Sequence, residues 1–159
     1  MTWNSRGFRD ALGHFATGVA VISAATPQDT CLGLTINSFT SVSLDPPLVL
    51  WSLDRASDRF GVLNQVEKFG INILGHSAKE LSQRLSRKGE SGIDPSDIRK
   101  GEHGVPLLIS HIAAFECETH QRIDAGDHVI LIGRVLSFTH VQHEHPLLYY
   151  CGGYCELVR

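Results

Sequence analysis

Between Cys31 and Leu53 three strand-like runs follow one another with almost no chain between them, and that spacing constrains the fold more than any other feature. Cys31 to Asn37 alternates, with Leu32, Leu34 and Ile36 on one side and Gly33, Thr35 and Asn37 on the other. Successive side chains of a strand point to opposite faces, so this run reads as a half-buried strand with a polar face. Phe39 to Leu44 alternates again, Asp45-Pro46-Pro47 closes it, and Leu48 to Leu53 is continuously apolar. Consecutive prolines cannot donate to a β-ladder and mark a strand boundary. Strands joined by turns this short argue for an antiparallel arrangement.

The same grammar recurs along the chain. Val19 to Ala25, Lys68 to Leu74, Ile112 to His120, Val129 to Phe138 and Leu147 to Tyr150 read as further strands. Thr26-Pro27-Gln28-Asp29, Gly126-Asp127 and Gly152-Gly153 supply turns. Helical spacing is confined to three short places. Phe8, Leu12 and Phe15 share a face behind a candidate Ser5 cap, Phe60, Leu63 and Val66 share one within Ser57 to Val66, and Ser77 to Ser86 is the third. Residues 87–104, with Gly89, Gly92, Gly101, Gly104 and Pro95, read as an exposed excursion. Regular strand–helix alternation is missing, which argues against a doubly wound parallel sheet. The expectation is a mainly β chain, a closed or nearly closed antiparallel barrel with peripheral helices, forming a single domain over residues 1–159.

Composition removes several functional classes. A net charge of −3 and a pI near 6.3 give no electrostatic reason for nucleic acid or a membrane surface. Met1 to Arg6 lacks the apolar core of a signal peptide, and no apolar stretch approaches the roughly 20 residues of a membrane span. Cys31, Cys117, Cys151 and Cys155 show no C-x-x-C spacing, so reduced thiols and a cytoplasmic location are expected. Cys151 and Cys155, with three residues between them, read as small packed residues before an oxidisable pair, since functional thiol motifs usually have two. Nucleotide-binding glycine loops, H-E-x-x-H and G-x-S-x-G are missing, Gly89-Glu90-Ser91-Gly92 falling one residue short of the last. His140, His143 and His145 cluster near Pro146 without a second set of ligands, so no metal is expected.

Three segments remain as candidates for chemistry. Thr35, Asn37 and Ser38 offer uncharged donors and acceptors, which suit the edge of a heteroaromatic ring or merely face water. Asp54-Arg55-Ala56-Ser57-Asp58-Arg59 leads into a helix and reads either as a phosphate seat or as a serine cap among surface charges. Ala125-Gly126-Asp127-His128-Val129 puts a histidine at a strand start, where it serves as acid, base, ligand contact or structure.

Taken in order, these stretches resemble the flavin reductase-like, FMN-binding split-barrel family, the short reductase components of two-component monooxygenases. Phe8-Arg9-Asp10-Ala11-Leu12-Gly13-His14-Phe15-Ala16-Thr17-Gly18-Val19 is similar to the family's opening. Thr35-Ile36-Asn37-Ser38-Phe39, with Ser41 to Val49, is similar to its most specific block. Phe69 to Leu74, Gly126-Asp127-His128 with Gly133, and Pro146 to Tyr150 also fit. The chain departs at Leu85, where phenylalanine is frequent, and at Cys151, where serine is common.

The resemblance implies a split β-barrel (Greek-key, FMN-binding) and a homodimer with flavin near the subunit interface. It implies hydride transfer from NADH or NADPH to FMN or FAD, the reduced flavin then passing to a partner monooxygenase. Thr35, Asn37 and Ser38 would meet the isoalloxazine ring. Ser52, Asp54 and Ser57 would approach the ribityl chain and phosphate, with Arg84 adding charge. His128 and Tyr154 would line the nicotinamide side, His128 for positioning and not as an obligatory acid or base. The rival readings are a flavoprotein with prosthetic FMN and another acceptor, a flavin-binding or storage protein, and a barrel that binds no flavin.

Overall fold

The computed structural model describes residues 3–28, 30–142 and 144–157. Helix α1 (Ser5–Gly13) opens the chain, and Asn4, not Ser5, caps it: its side-chain oxygen accepts from the Gly7 N–H at 3.0 Å. Strands β1 (Thr17–Gly18), β2 (Ala20–Ala25), β3 (Cys31–Ile36), β4 (Thr40–Leu44) and β5 (Pro47–Asp54) follow. Then come α2 (Phe60–Leu63), β6 (Lys68–Ile73), a 3-10 turn at His76–Ala78 and α3 (Lys79–Ser86). The chain closes with β7 (Ile98–Lys100), β8 (Pro106–Leu108), β9 (Ala113–Ala125), β10 (His128–His140), β11 (Leu148–Tyr150) and β12 (Gly153–Cys155). The sequence pattern shows no strand at β1, β7, β8 or β12.

Seven strands form one antiparallel sheet in the order β3-β2-β6-β9-β10-β5-β4. Its two edge strands, β3 and β4, are consecutive in the chain and joined by Asn37-Ser38-Phe39 alone. Four residue steps from Ile36 to Thr40 reach at most about 14 Å. The sheet must therefore curl until its edges face each other, yet no ladder joins β3 to β4. The mainly β, split-barrel expectation holds. Trp51, Phe69, Ile22, Ile71, Leu53 and Leu131 fill the interior.

A second core lies outside the barrel. Val19, Val21, Leu74, Leu85, Ile93, Leu108 and Leu147 pack there, with Tyr149 and Tyr154 of the small sheet β1-β11-β12 against them. This core corrects two expectations. The side of β3 read as polar is covered: a β-carbon on Gly33 would lie 2.8 Å from Ile93 Cδ1 and 2.9 Å from Leu85 Cδ1. Residues 87–104 are not wholly an exposed excursion either. Gly33 N–H donates to Ser91 O at 2.7 Å and Ile93 N–H to Cys31 O at 3.0 Å, extending the β3 edge. Alternation identifies the side facing the barrel but carries no information about a helix and loop arriving on the other.

Arg59 holds that loop in place. It is 4% exposed, and its Nε donates to Gly33 O at 3.1 Å. Its Nη2 donates to Arg87 O at 2.8 Å and Glu90 O at 2.9 Å, while Nη1 meets Asp58 at 2.9 Å. Helix α2 is correspondingly short, four residues where the spacing predicted ten. Phe60, Leu63 and Val66 still pack on the barrel as their spacing implied.

Glu116 plays the matching part across the sheet. It is 2% exposed, and Oε1 accepts from the Ser137 hydroxyl at 2.8 Å. Oε2 accepts from the His103 and Val105 N–H groups at 2.9 and 3.2 Å. A β-carbon on Gly101 would collide with this carboxylate, so the approach requires glycine. Burial alone raises the Glu116 pKa, but the bonds from Ser137, His103 and Val105 outweigh it and hold the carboxyl below its ordinary value. A lowered folded pKa adds stability above the unfolded value of about 4.3, and that stability disappears as pH falls through the folded value. The urea stability gap between wild type and Glu116→Gln should therefore be widest near neutrality and shrink below about pH 4. A gap independent of pH would show that the buried carboxyl is not ionised.

Candidate functional site

The outer edge of β3 is paired by residues 91–93 only as far as Gly33. Beyond that point a hollow of about 450 Å³ opens between β3, α3 and β12, lined by Thr35, Asn37, Gln83, Ser86, Tyr149 and Tyr154 among others. A neighbouring hollow of about 700 Å³ runs past Phe15, Thr17, Asn37, Ser38, Phe39 and Ile73. A third, of about 600 Å³, reaches Arg9, His14, Thr17, Asn37, Tyr149 and Cys151. All three meet at Asn37, which is exposed on the link across the split in the barrel.

Hydrogen bonds give the walls a direction. Thr35 Oγ1 donates to Ser82 O at 2.7 Å, so its proton is spent and only its lone pairs are left for a ligand. Ser38 Oγ accepts from the Ser52 N–H at 3.0 Å, stitching the link to β5. Tyr154 stands edge-on to Tyr149 at 5.4 Å, and its hydroxyl meets Ser82 Oγ at 2.7 Å. The Lys79 ammonium lies 6.0 Å from the Tyr154 ring centre.

The remaining sequence candidates lie elsewhere. Asp54 and His128 face each other across the β5–β10 ladder, two residues beyond the Ser52–Ile130 pair. Asp54 Oδ1 accepts from the Ala56 N–H at 2.8 Å and Ser57 Oγ from the Arg59 N–H at 3.2 Å, so both shape the turn before α2. His128 Nδ1 lies 2.8 Å from Asp127 Oδ1. A carboxylate only accepts, so Nδ1 carries a proton in this contact. His128, by its hydrogen bond and its charge, holds the Asp127 carboxyl below the ordinary range. Arg84 stands apart from all three hollows, donating to Gly92 O at 2.8 Å. The arginines near Ser57 are also engaged, Arg59 with backbone carbonyls and Arg55 with Asp124. Thr35, Asn37 and Tyr154 thus share one hollow, Ser38 and Ser52 adjoin it, and Asp54, Ser57 and His128 form a second group.

Gln83 and Ser86 escaped the sequence reading, as did Ser82 behind them. The available signal was polar spacing at 82, 83 and 86, which puts these side chains on neighbouring helix positions. The thiols divide cleanly. Burial pushes Cys31 up to about 11 and Cys117 up to about 12, which keeps both protonated. Cys151 is exposed, with Sγ 3.8 Å from His14 Nδ1, so the expectation of a packed side chain fails there. It sits in a turn at φ 47°, which carries the side chain off the strand face. No three His, Cys, Asp or Glu side chains among the described residues assemble as a metal site, and His143 lies outside those residues.

Residues 12–158 match the family described as flavin reductase like domain. FMN reductase (NADH) SmoA of Agrobacterium fabrum is 43% identical over 98% of this chain and 88% of its own length. Stachydrine N-demethylase reductase subunit Stc3 of Rhizobium meliloti is 40% identical over 86% of this chain, which spans only 59% of that relative. Among solved structures, flavin reductase PheA2 in its native state superposes with a TM-score of 0.90 at 33% identity, covering 99% of this chain and 100% of that one. The split barrel, with a polar link across its opening, is therefore the frame of a known group, and this chain belongs to the flavin reductase like domain family.

Proposed function

We propose that the chain is an NADH:flavin oxidoreductase that reduces FMN or FAD and releases reduced flavin to a partner monooxygenase. The observation that carries this reading is the hollow beside the split, with an acceptor-only Thr35 hydroxyl and the exposed Asn37 carboxamide. A flavin ring edge alternates carbonyl acceptors with an N–H donor, so an acceptor and a carboxamide side by side complement it. Hollows of about 450 and 700 Å³ fall within the range of small-molecule sites. Bound flavin supplies the hydride acceptor and NADH, or less readily NADPH, the hydride. The chain's task is then placement: Asn37, Thr35 and Ser38 orient one ring, and Tyr154 with Tyr149 walls the hollow.

Ser52 and Asp54 continue along β5 from Ser38, in line for a ribityl chain, and the Asp54 carboxylate suits hydroxyl donors better than phosphate. Ser57 and Arg84 remain the proposed phosphate-side contacts. His128, oriented by Asp127 through Nδ1, is assigned to nicotinamide positioning. The likeness to FMN reductase (NADH) SmoA and flavin reductase PheA2 supports flavin as substrate, and the likeness to SmoA supports NADH and FMN. Four free cysteines fit the reducing cytoplasm, and no helix among the described residues is long and apolar enough to cross a membrane.

The test is NADH oxidation with titrated FMN, FAD and riboflavin. Steady turnover yielding soluble reduced flavin is expected, whereas a protein that binds flavin yet ignores NADH and NADPH would be a storage protein. His128→Ala should raise the KM for NADH about tenfold while flavin still binds, the loss of one or two polar contacts. A folded variant stripped of flavin would overturn that assignment.

A homodimer belongs to the same proposal. Phe15 is 79% exposed and Leu44 94%, Phe8 and Leu12 on α1 are also uncovered, and among the described residues no strand pairs with the outer edge of β4. Uncovered edges and apolar faces of this kind are buried between subunits. Sedimentation at micromolar concentration should give twice the mass of the chain, and a single-chain mass would remove the dimer.

A further inference from the structure

Ser82 is fully buried in the middle of α3, where alanine would favour the helix more and leave no hydroxyl to satisfy. Among the described residues its side chain has one partner, the Tyr154 hydroxyl at 2.7 Å. Its backbone carbonyl takes the Thr35 proton, also at 2.7 Å. One residue of α3 therefore holds both walls of the hollow: β3 of the seven-stranded sheet through its main chain, β12 of the small sheet through its side chain. Strand β12 is only three residues long and among the described residues pairs with β11 alone, so apart from the Lys79 ammonium over its ring this is the one hydrogen bond that fixes Tyr154 against α3.

We propose that Ser82 is a positioning residue that sets the width of the flavin hollow by pinning Tyr154 to α3. This rests on the flavin reductase reading above. Ser82 touches no ligand itself and lies behind the lining formed by Thr35, Gln83, Ser86 and Tyr154. Its side chain governs one wall only, because the Thr35 bond goes to the main chain and survives truncation at 82.

The experiment is a double-mutant cycle of Ser82→Ala, Tyr154→Phe and the double variant, read by quenching of FMN fluorescence, NADH turnover and thermal melting. Each single change should weaken FMN binding about three- to tenfold, as expected for one lost hydrogen bond. The double variant should bind no worse than the weaker single, since both cut the same bond. For Ser82→Ala, kcat at saturating NADH and FMN should stay within about twofold, because Ser82 lies behind the lining and touches neither ring. Should Ser82→Ala fail to fold, Tyr154→Phe severs the same bond from the other end. Unchanged FMN affinity with a lowered melting temperature would reduce Ser82 to a structural role and overturn the proposal. Single effects that multiply in the double variant would do so too. A wild type that neither quenches FMN nor oxidises NADH instead removes the flavin reading itself, an outcome separate from either.

Discussion

Replacing Arg59 by methionine should cost about 3–5 kcal/mol of folding stability, the range for breaking a buried charged network from one side. The guanidinium serves three backbone carbonyls, of Gly33, Arg87 and Glu90, in a site 4% exposed. Methionine fills much of the same volume but donates nothing, so the carbonyls are left without those bonds and Asp58 loses its counter-charge. Asp58 keeps a partner in the Gly89 N–H, at 2.6 Å, which first among its contacts holds its carboxyl below the ordinary range. Gly33 adjoins Thr35 on β3, and Glu90 precedes the segment that pairs with that strand, so flavin affinity should fall along with the urea midpoint. A loss below about 1 kcal/mol would mean that water reaches all three carbonyls, against the observed burial.

Asn37→Leu should lower kcat/KM for flavin about ten- to a hundredfold, the effect of removing a carboxamide that a ring edge requires. Stability should barely move, since Asn37 is exposed on a link and not packed in either core. That contrast separates it from Arg59→Met, in which binding and stability fall together. Unaltered flavin kinetics in a folded Asn37→Leu protein would move the ring site away from the opening of the barrel.

Most strands were legible because they carry period-two patterns bounded by prolines or glycines. Pro47 begins β5 and Asp54 ends it, close to the boundaries that the pattern sets. Strand β12 was invisible because Gly153-Tyr154-Cys155 is too short to show a period and follows a glycine turn. The extent of α2 was misjudged because helical spacing from Phe60 to Val66 persists in a chain that packs without staying helical. At the site, the polar run Thr35-Asn37-Ser38 was readable as chemistry. The helix that completes its hollow was not, since Ser82, Gln83 and Ser86 look like an ordinary solvated stripe until α3 is docked. The arginines near Ser57 suggest a phosphate seat, but in the fold Arg59 is consumed by backbone carbonyls.

The missing ladder between β3 and β4 has a thermodynamic consequence. Ligands seated at that opening reach Thr35 and Ile36 on β3 and Thr40 at the start of β4, two edges that no ladder joins. Binding free energy gained by the closed barrel alone is added to its stability, about 2.7 kcal/mol at a hundred times the dissociation constant. The protein's resistance to unfolding is then a property of the flavin pool around it, rising when flavin is plentiful and relaxing when it has been handed on.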